Sequence, residues 1–119
     1  MSASTRSKYH AVPTVVDGIR FASKAEARRF GELKLLQKAG KICELELQPR
    51  FKLYVSDPDG EEIKIGTYIA DFSYLLLDKF GDNFSTEVVE DVKGFRTDLY
   101  LWKKKHFEIQ CGIKITEVK

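Results

Sequence analysis

Apolar and polar residues alternate with period two along much of this chain, and twice the period changes to that of a helix. Val12 to Val16 and Ile19 to Phe21 flank Asp17-Gly18, a pair suited to a tight hairpin turn. Ser23-Lys24-Ala25-Glu26 has the spacing of a capping box. Apolar residues then recur at Ala27, Phe30, Leu33 and Leu36, the buried stripe of a helix that Gly40 ends. Ile42 to Val55 reads mostly as strand, with Leu45, Leu47, Phe51, Leu53 and Val55 in period two and an interruption at Pro49. Asp57-Pro58-Asp59-Gly60 is a turn. Glu62 to Leu77 is a long strand, broken or bent near Gly66, residues 78–85 form a loop, and Thr86 to Lys93 is a further strand. Thr97 caps a second helix over Asp98 to Gln110, with Asp98 favourable in the first turn. Leu99, Trp102, His106 and Ile109 share one face of it, with Tyr100 and Phe107 beside them. Gly112 stops this helix, and Ile113 to Val118 alternates as the last strand. The order, β-hairpin, α, β, β, β, α, β, predicts one α/β domain with a mixed central sheet flanked by helices.

Two of these strands carry acids that apolar runs normally lack. Tyr68-Ile69-Ala70-Asp71-Phe72 holds one, and Val89-Glu90-Asp91-Val92-Lys93-Gly94 holds two. Side chains alternate along a strand, so Asp91 and Lys93 point one way and Val92 the other. Pairing this strand with the one that holds Asp71 brings two carboxylates and an ammonium together. Two carboxylates suit Mg²⁺, a hard cation that prefers oxygen ligands and keeps several waters. A lysine beside them is placed to hold or deprotonate an attacking water, which is the equipment of metal-assisted phosphodiester hydrolysis.

Composition narrows the field. The 119 residues, 43% of them hydrophobic, suffice for one core and hardly for two. Twenty basic residues against 18 acidic leave a net charge of +2, too little by itself to indicate nucleic-acid binding. The arrangement says more than the sum. Lys24, Arg28 and Arg29 gather in one place, Lys93, Arg96, Lys103, Lys104, Lys105 and His106 in another, and acids fill Asp57 to Glu62. A small domain can carry a positive face in this way. Residues 1–10 are polar and basic and read as a flexible tail ahead of a single domain at 11–119. Cys43 and Cys111 lie in apolar contexts without a CxxC pair, as buried reduced thiols do. No run reaches the length of a membrane span and no signal-peptide core is present, so a cytoplasmic protein without a membrane partner is expected.

Each candidate has an ordinary structural reading beside the chemical one. Asp71 can be a strand-edge charge, and a D-x-K triplet is often one solvated strand face. Together in this order, followed by a glycine and a capped helix, they favour a site, because burying such charges without a ligand is costly. Glu90 falls on the face opposite Asp91 and reads as an exposed or paired acid. Glu26 is the third position of the capping box, and capping does not exclude a metal role. Lys103-Lys104-Lys105 wraps a helix and so faces several directions. Beside a phosphodiester-cleaving site, phosphate contacts become the better reading for some of them, and for Arg28, Arg29 and Arg96. His10 and His106 have no zinc-like spacing with the cysteines, Ser23 has no histidine to activate it, and no phosphate-binding glycine loop is present.

At these residues the chain resembles the PD-(D/E)xK nuclease superfamily, and within it the small phage-encoded domains related to Holliday-junction resolvases. The matching segments are Phe21 to Ala27, Tyr68 to Phe72, Glu90 to Gly94 and Thr97 to Phe107 with Gly112-Ile113, and the similarity spans residues 8–118. Ala70 stands where the motif has proline, a position that shapes the strand and supplies no ligand. The resemblance implies a restriction-endonuclease-like αβββαβ core. It implies that Asp71, Asp91, the Val92 carbonyl and, as a further ligand, Glu26 hold Mg²⁺, with Mn²⁺ as a substitute, and that Lys93 acts on the attacking water. Arg28, Arg29, Arg96, Lys103, Lys104 and Lys105 are the expected DNA contacts. The activity implied is a metal-dependent DNA endonuclease, selective for branched or junction DNA, in phage recombination within a bacterial host cell. Cutting two strands favours a homodimer. Two other readings stay open: a DNA-binding or assembly module that keeps the fold without cleaving, and a nuclease subunit targeted by a partner protein.

Overall fold

Asp17 and Gly18 both adopt positive φ, 52° and 76°, and close a hairpin between β1 (Thr14–Val16) and β2 (Ile19–Phe21). A computed structural model describes residues 12–77 and 85–119; the expected tail at 1–10, His10 and nearly all of the expected loop at 78–85 lie outside the described residues. The helix α1 (Lys24–Lys38) starts where the capping box places it. Ser23 Oγ accepts from the Glu26 N–H at 3.1 Å, while the Glu26 carboxylate reaches back one residue further than usual, to the Ala22 N–H at 3.0 Å. Gly40, at φ 76°, closes the other end. Its N–H donates to Gln37 and that of Lys41 to Leu36, the paired bonds of a Schellman motif.

Four strands make the central sheet in the order β3 (Ile42–Leu47), β6 (Phe72–Leu77), β7 (Ser85–Val92), β8 (Ile115–Val118). β3, β6 and β7 pair antiparallel, and β8 is parallel to β7. The parallel pair needs a crossover, which α2 (Asp98–Cys111) supplies. A separate hairpin, β4 (Arg50–Ser56) with β5 (Glu62–Ile69), lies between β3 and β6 in the chain and contacts α2. The result is a small single-domain α/β protein with a mixed sheet and two helices.

The sheet separates two cores. On one face Phe21, Ala27, Phe30, Leu33, Ile42, Phe72 and Tyr74 pack under α1. On the other, Leu53, Tyr68, Ala70, Val89, Tyr100, Phe107 and Ile115 join the hairpin and α2. Each fully buried large apolar side chain contributes about 1.5–3 kcal/mol. β7 serves both cores by alternation: Val88 and Val92 pack on the α1 side and Val89 on the α2 side.

Two expectations are corrected. Glu62 to Leu77 is two strands, parted at Ala70-Asp71 and not at Gly66. The Ala70 N–H still bonds to Pro49, whereas the Asp71 N–H bonds to Glu90, so the chain changes partners between these residues. Gly66 marks only a bulge, opposite the register shift at Leu53/Tyr54. In α2 the face carrying Leu99, Trp102 and Ile109 is exposed, with Trp102 at 81%. Tyr100 and Phe107, two turns apart, point inward instead, where Phe107 meets the rings of Phe51 and Tyr68.

Candidate metal and catalytic site

The change of partners at Ala70-Asp71 is what builds the site. Phe72 pairs with Glu90, so Asp71 stands level with Asp91 on the neighbouring strand. Asp71 Oδ2 accepts from the Val92 N–H at 2.7 Å, which ties its carboxylate to the strand that bears Asp91 and Lys93. Asp91 is 1% exposed. One of its oxygens, Oδ2, accepts from the Tyr68 hydroxyl. The other, Oδ1, is buried and has no hydrogen-bond partner. Lys93 Nζ lies 3.6 Å from it, near enough for attraction but beyond a hydrogen bond. Lys93 Nζ also sits 4.4 Å above the Tyr100 ring, a cation–π contact that holds the ammonium beside Asp91.

Electrostatics show how closely the acids converge. Burial, chiefly, raises Asp71 to about 6; the Glu26 charge adds to this and the Val92 N–H opposes it. Burial likewise raises Asp91 to about 7, with the Asp71 charge adding, and the Tyr68 hydroxyl and Lys93 opposing. Glu26, in the first turn of α1, lines one cleft with Asp71, and its capping bond to Ala22 fixes that turn. Burial and the hydrogen bond to Asp91 push Tyr68 far above the usual phenol range, so it stays a donor.

Among the described residues, no three His, Cys, Asp or Glu side chains form a ready-made ligand group. The chemistry of the donors nonetheless fits a hard divalent cation. Two adjacent carboxylates, one with a buried oxygen lacking any donor, suit an ion that keeps most of its waters.

The sheet divides the remaining candidates. Glu90 is on the α1 face, as alternation requires, and it is fully buried. Arg29 grips it with two bonds, Nε to Oε1 at 2.8 Å and Nη2 to Oε2 at 2.7 Å, and Tyr74 donates to it as well. Glu32 takes the remaining side of the guanidinium at 2.9 Å. Arg29 is thus engaged in an internal ion pair and is not presented as a free cation. Lys103 Nζ donates to the Thr67 carbonyl at 2.9 Å. Lys104 lies 3.9 Å from Glu117 and 4.0 Å from Glu108, and Arg96 pairs with Glu117 at 3.2 Å. Arg28 and Lys105 are exposed and enter no ion pair among the described residues.

Tyr68, Tyr100 and Glu117 belong to the site's surroundings although the sequence did not mark them. Glu117 pairs in register with Asp91 and accepts from the Tyr100 hydroxyl at 2.8 Å. A buried tyrosine hydroxyl needs a partner, but partners 17 and 23 residues away leave no local signal.

The raised carboxyls make a prediction about pH. The unfolded values lie near 4. Between there and about 7 the folded protein binds more protons than the unfolded chain, so stability falls as pH rises. The contribution of these groups is complete below pH 4 and is lost as pH passes 6 and then 7. In chelator, wild type is expected to lose more stability between pH 5 and pH 8 than Asp91→Asn does. Parallel denaturation curves for the two proteins at both pH values would contradict this.

No helix among the described residues is long and apolar enough to cross a membrane. The chain belongs to the family described as Protein of unknown function (DUF1064), whose model matches residues 6–119. No curated protein and no solved structure matches the chain.

Proposed function

We propose that this protein is a divalent-metal-dependent DNA endonuclease of the PD-(D/E)xK type. The observation that carries the reading is the meeting of Asp71, Asp91 and Lys93 at one end of the sheet, with Asp91 Oδ1 buried, lacking a hydrogen-bond donor, and 3.6 Å from Lys93 Nζ. Order in the chain supports it too. α1, β3, β6, β7, α2 and β8 follow the αβββαβ sequence that the resemblance implies, with the β4–β5 hairpin interposed.

Asp71 and Asp91 would hold Mg²⁺ or Mn²⁺, with the Val92 carbonyl and Glu26 as further ligands. A cation held there would supply neutralisation of the charge that develops on the phosphate. Lys93, held as an ammonium by Asp91 and the Tyr100 ring, would donate to the attacking water, orient it and stabilise the hydroxide that forms as its proton passes to solvent. Tyr68 anchors Asp91 through Oδ2 and leaves Oδ1 without a hydrogen-bond donor. Asp71 is held by the Val92 N–H in the same way.

The decisive experiment is cleavage in Mg²⁺ of junction, flap, duplex and single-stranded DNA by the purified protein. Cutting that is lost in chelator supports the reading, with junction or flap DNA expected to be preferred. No cutting of any of the four overturns it. Phosphate contact by α2 is tested separately. Lys104→Ala with Lys105→Ala should weaken binding to different duplex sequences alike, since phosphate contacts carry no base information. The slope of log affinity against log salt should fall by roughly 0.9 for each phosphate no longer engaged. An unchanged slope would return these lysines to solvent.

A further inference from the structure

Gln48 adopts φ 50°, a left-handed conformation that is unfavourable for a residue with a side chain. Such strain persists only where the surroundings over-determine it. Here they do. The Gln48 N–H donates to the Asp71 carbonyl at 2.9 Å, and the Ala70 N–H donates to the Pro49 carbonyl at 3.2 Å. The passage from β3 to β4 is therefore clamped on the same two residues that place the Asp71 carboxylate. Gln48 and Arg20 line one cleft of about 120 Å³ with Glu26 and Asp71. Both side chains are exposed, and among the described residues neither enters an ion pair or a side-chain hydrogen bond.

Charge gives this pair a task. A cleft with Glu26 and Asp71 in its wall repels a phosphodiester. A guanidinium at its edge offers paired donors matched to phosphate oxygens, and a carboxamide adds a neutral donor. We propose that Arg20 and Gln48 form a subsite for a DNA backbone phosphate next to the one being cut, on the Glu26 side of the site. This rests on the endonuclease reading. Arg20 supplies the attraction. Gln48, fixed by its clamped backbone, sets where the strand lies relative to Asp71. The plainer account is that Arg20 is a solvated hairpin residue and that Gln48 merely serves the crossover geometry.

Gln48→Gly separates the two, because glycine accepts positive φ without strain. Its melting temperature should equal or exceed that of wild type, so a functional defect in this variant is not a folding defect. With Mg²⁺ and the preferred DNA, Arg20→Ala and Gln48→Gly are each expected to raise KM about tenfold, with a smaller change in kcat. For Arg20→Ala the salt slope of duplex binding, measured in chelator, should fall by roughly 0.9. Arg20→Lys should restore part of the affinity. If both variants bind and cut like wild type while Lys93→Ala is inactive, the subsite is overturned and the endonuclease reading stands. If wild type cuts no DNA, both fall.

Discussion

Lys93→Ala is expected to lower DNA cleavage by about 10²–10³-fold, the usual effect of removing one preorganised donor to developing negative charge, while DNA binding survives. The expectation follows from where the structure holds the ammonium. Nζ is 3.6 Å from the buried Asp91 Oδ1 and 4.4 Å above the Tyr100 ring. That places it, half-buried, beside the reacting centre. Asp71→Asn should abolish cleavage as well, and its metal response distinguishes it from Lys93→Ala. Removing a ligand should weaken the Mg²⁺-dependent rise in melting temperature, whereas removing the lysine should leave that rise in place or increase it. The checks are single-turnover cleavage, binding in chelator, and thermal melts across a Mg²⁺ titration. Full activity in either folded variant would exclude the mechanism.

Arg29→Ala should cost about 3–5 kcal/mol of stability, because it leaves a buried carboxylate without its partner. Glu90 is completely buried, and the Arg29 guanidinium provides two of its bonds. Burial raises the Tyr74 hydroxyl to about 12, with its bond to Glu90 adding, so Tyr74 remains a donor to the carboxylate but cannot neutralise it. Arg29→Met combined with Glu90→Leu should recover much of the stability, since well-packed apolar residues can replace a buried pair. Equilibrium denaturation of the single variants and the double variant measures the coupling. An Arg29→Ala variant within about 1 kcal/mol of wild type would show that the pair contributes little. The outcome also bears on α1, whose first turn carries Glu26 less than one turn before Arg29. Without the pair that helix loses its polar tether to β7 and keeps only the apolar packing on Val88 and Val92, so the placement of Glu26 near Asp71 loosens.

Much of this protein is legible in its sequence because the deciding interactions are local. The Asp17-Gly18 turn, the Ser23 cap, the Thr97 cap and the Gly112 stop each rest on contacts within a few residues, and all stand where the pattern puts them. Alternation along one strand is enough to part Glu90 from Asp91. Distant pairing decides the rest. Which strand lies beside β7, and in which register, depends on the whole sheet; it is this that sets Asp71 level with Asp91 and gives Asp71 the Val92 N–H. The break at Ala70-Asp71 arises because β5 and β6 have different partners, a choice that no periodicity within Glu62 to Leu77 records. The inward face of α2 is hidden from the sequence for a similar reason. Leu99, Trp102 and Ile109 are as apolar as Tyr100 and Phe107, and only the position of the β4–β5 hairpin and of Glu117 decides which stripe is covered. Arg29 follows the same rule: a basic residue on a helix reads as solvated until the fold sets a buried Glu90 61 residues away against it. Local chemistry chose the elements and the residues able to react, and long-range packing chose which of those residues meet.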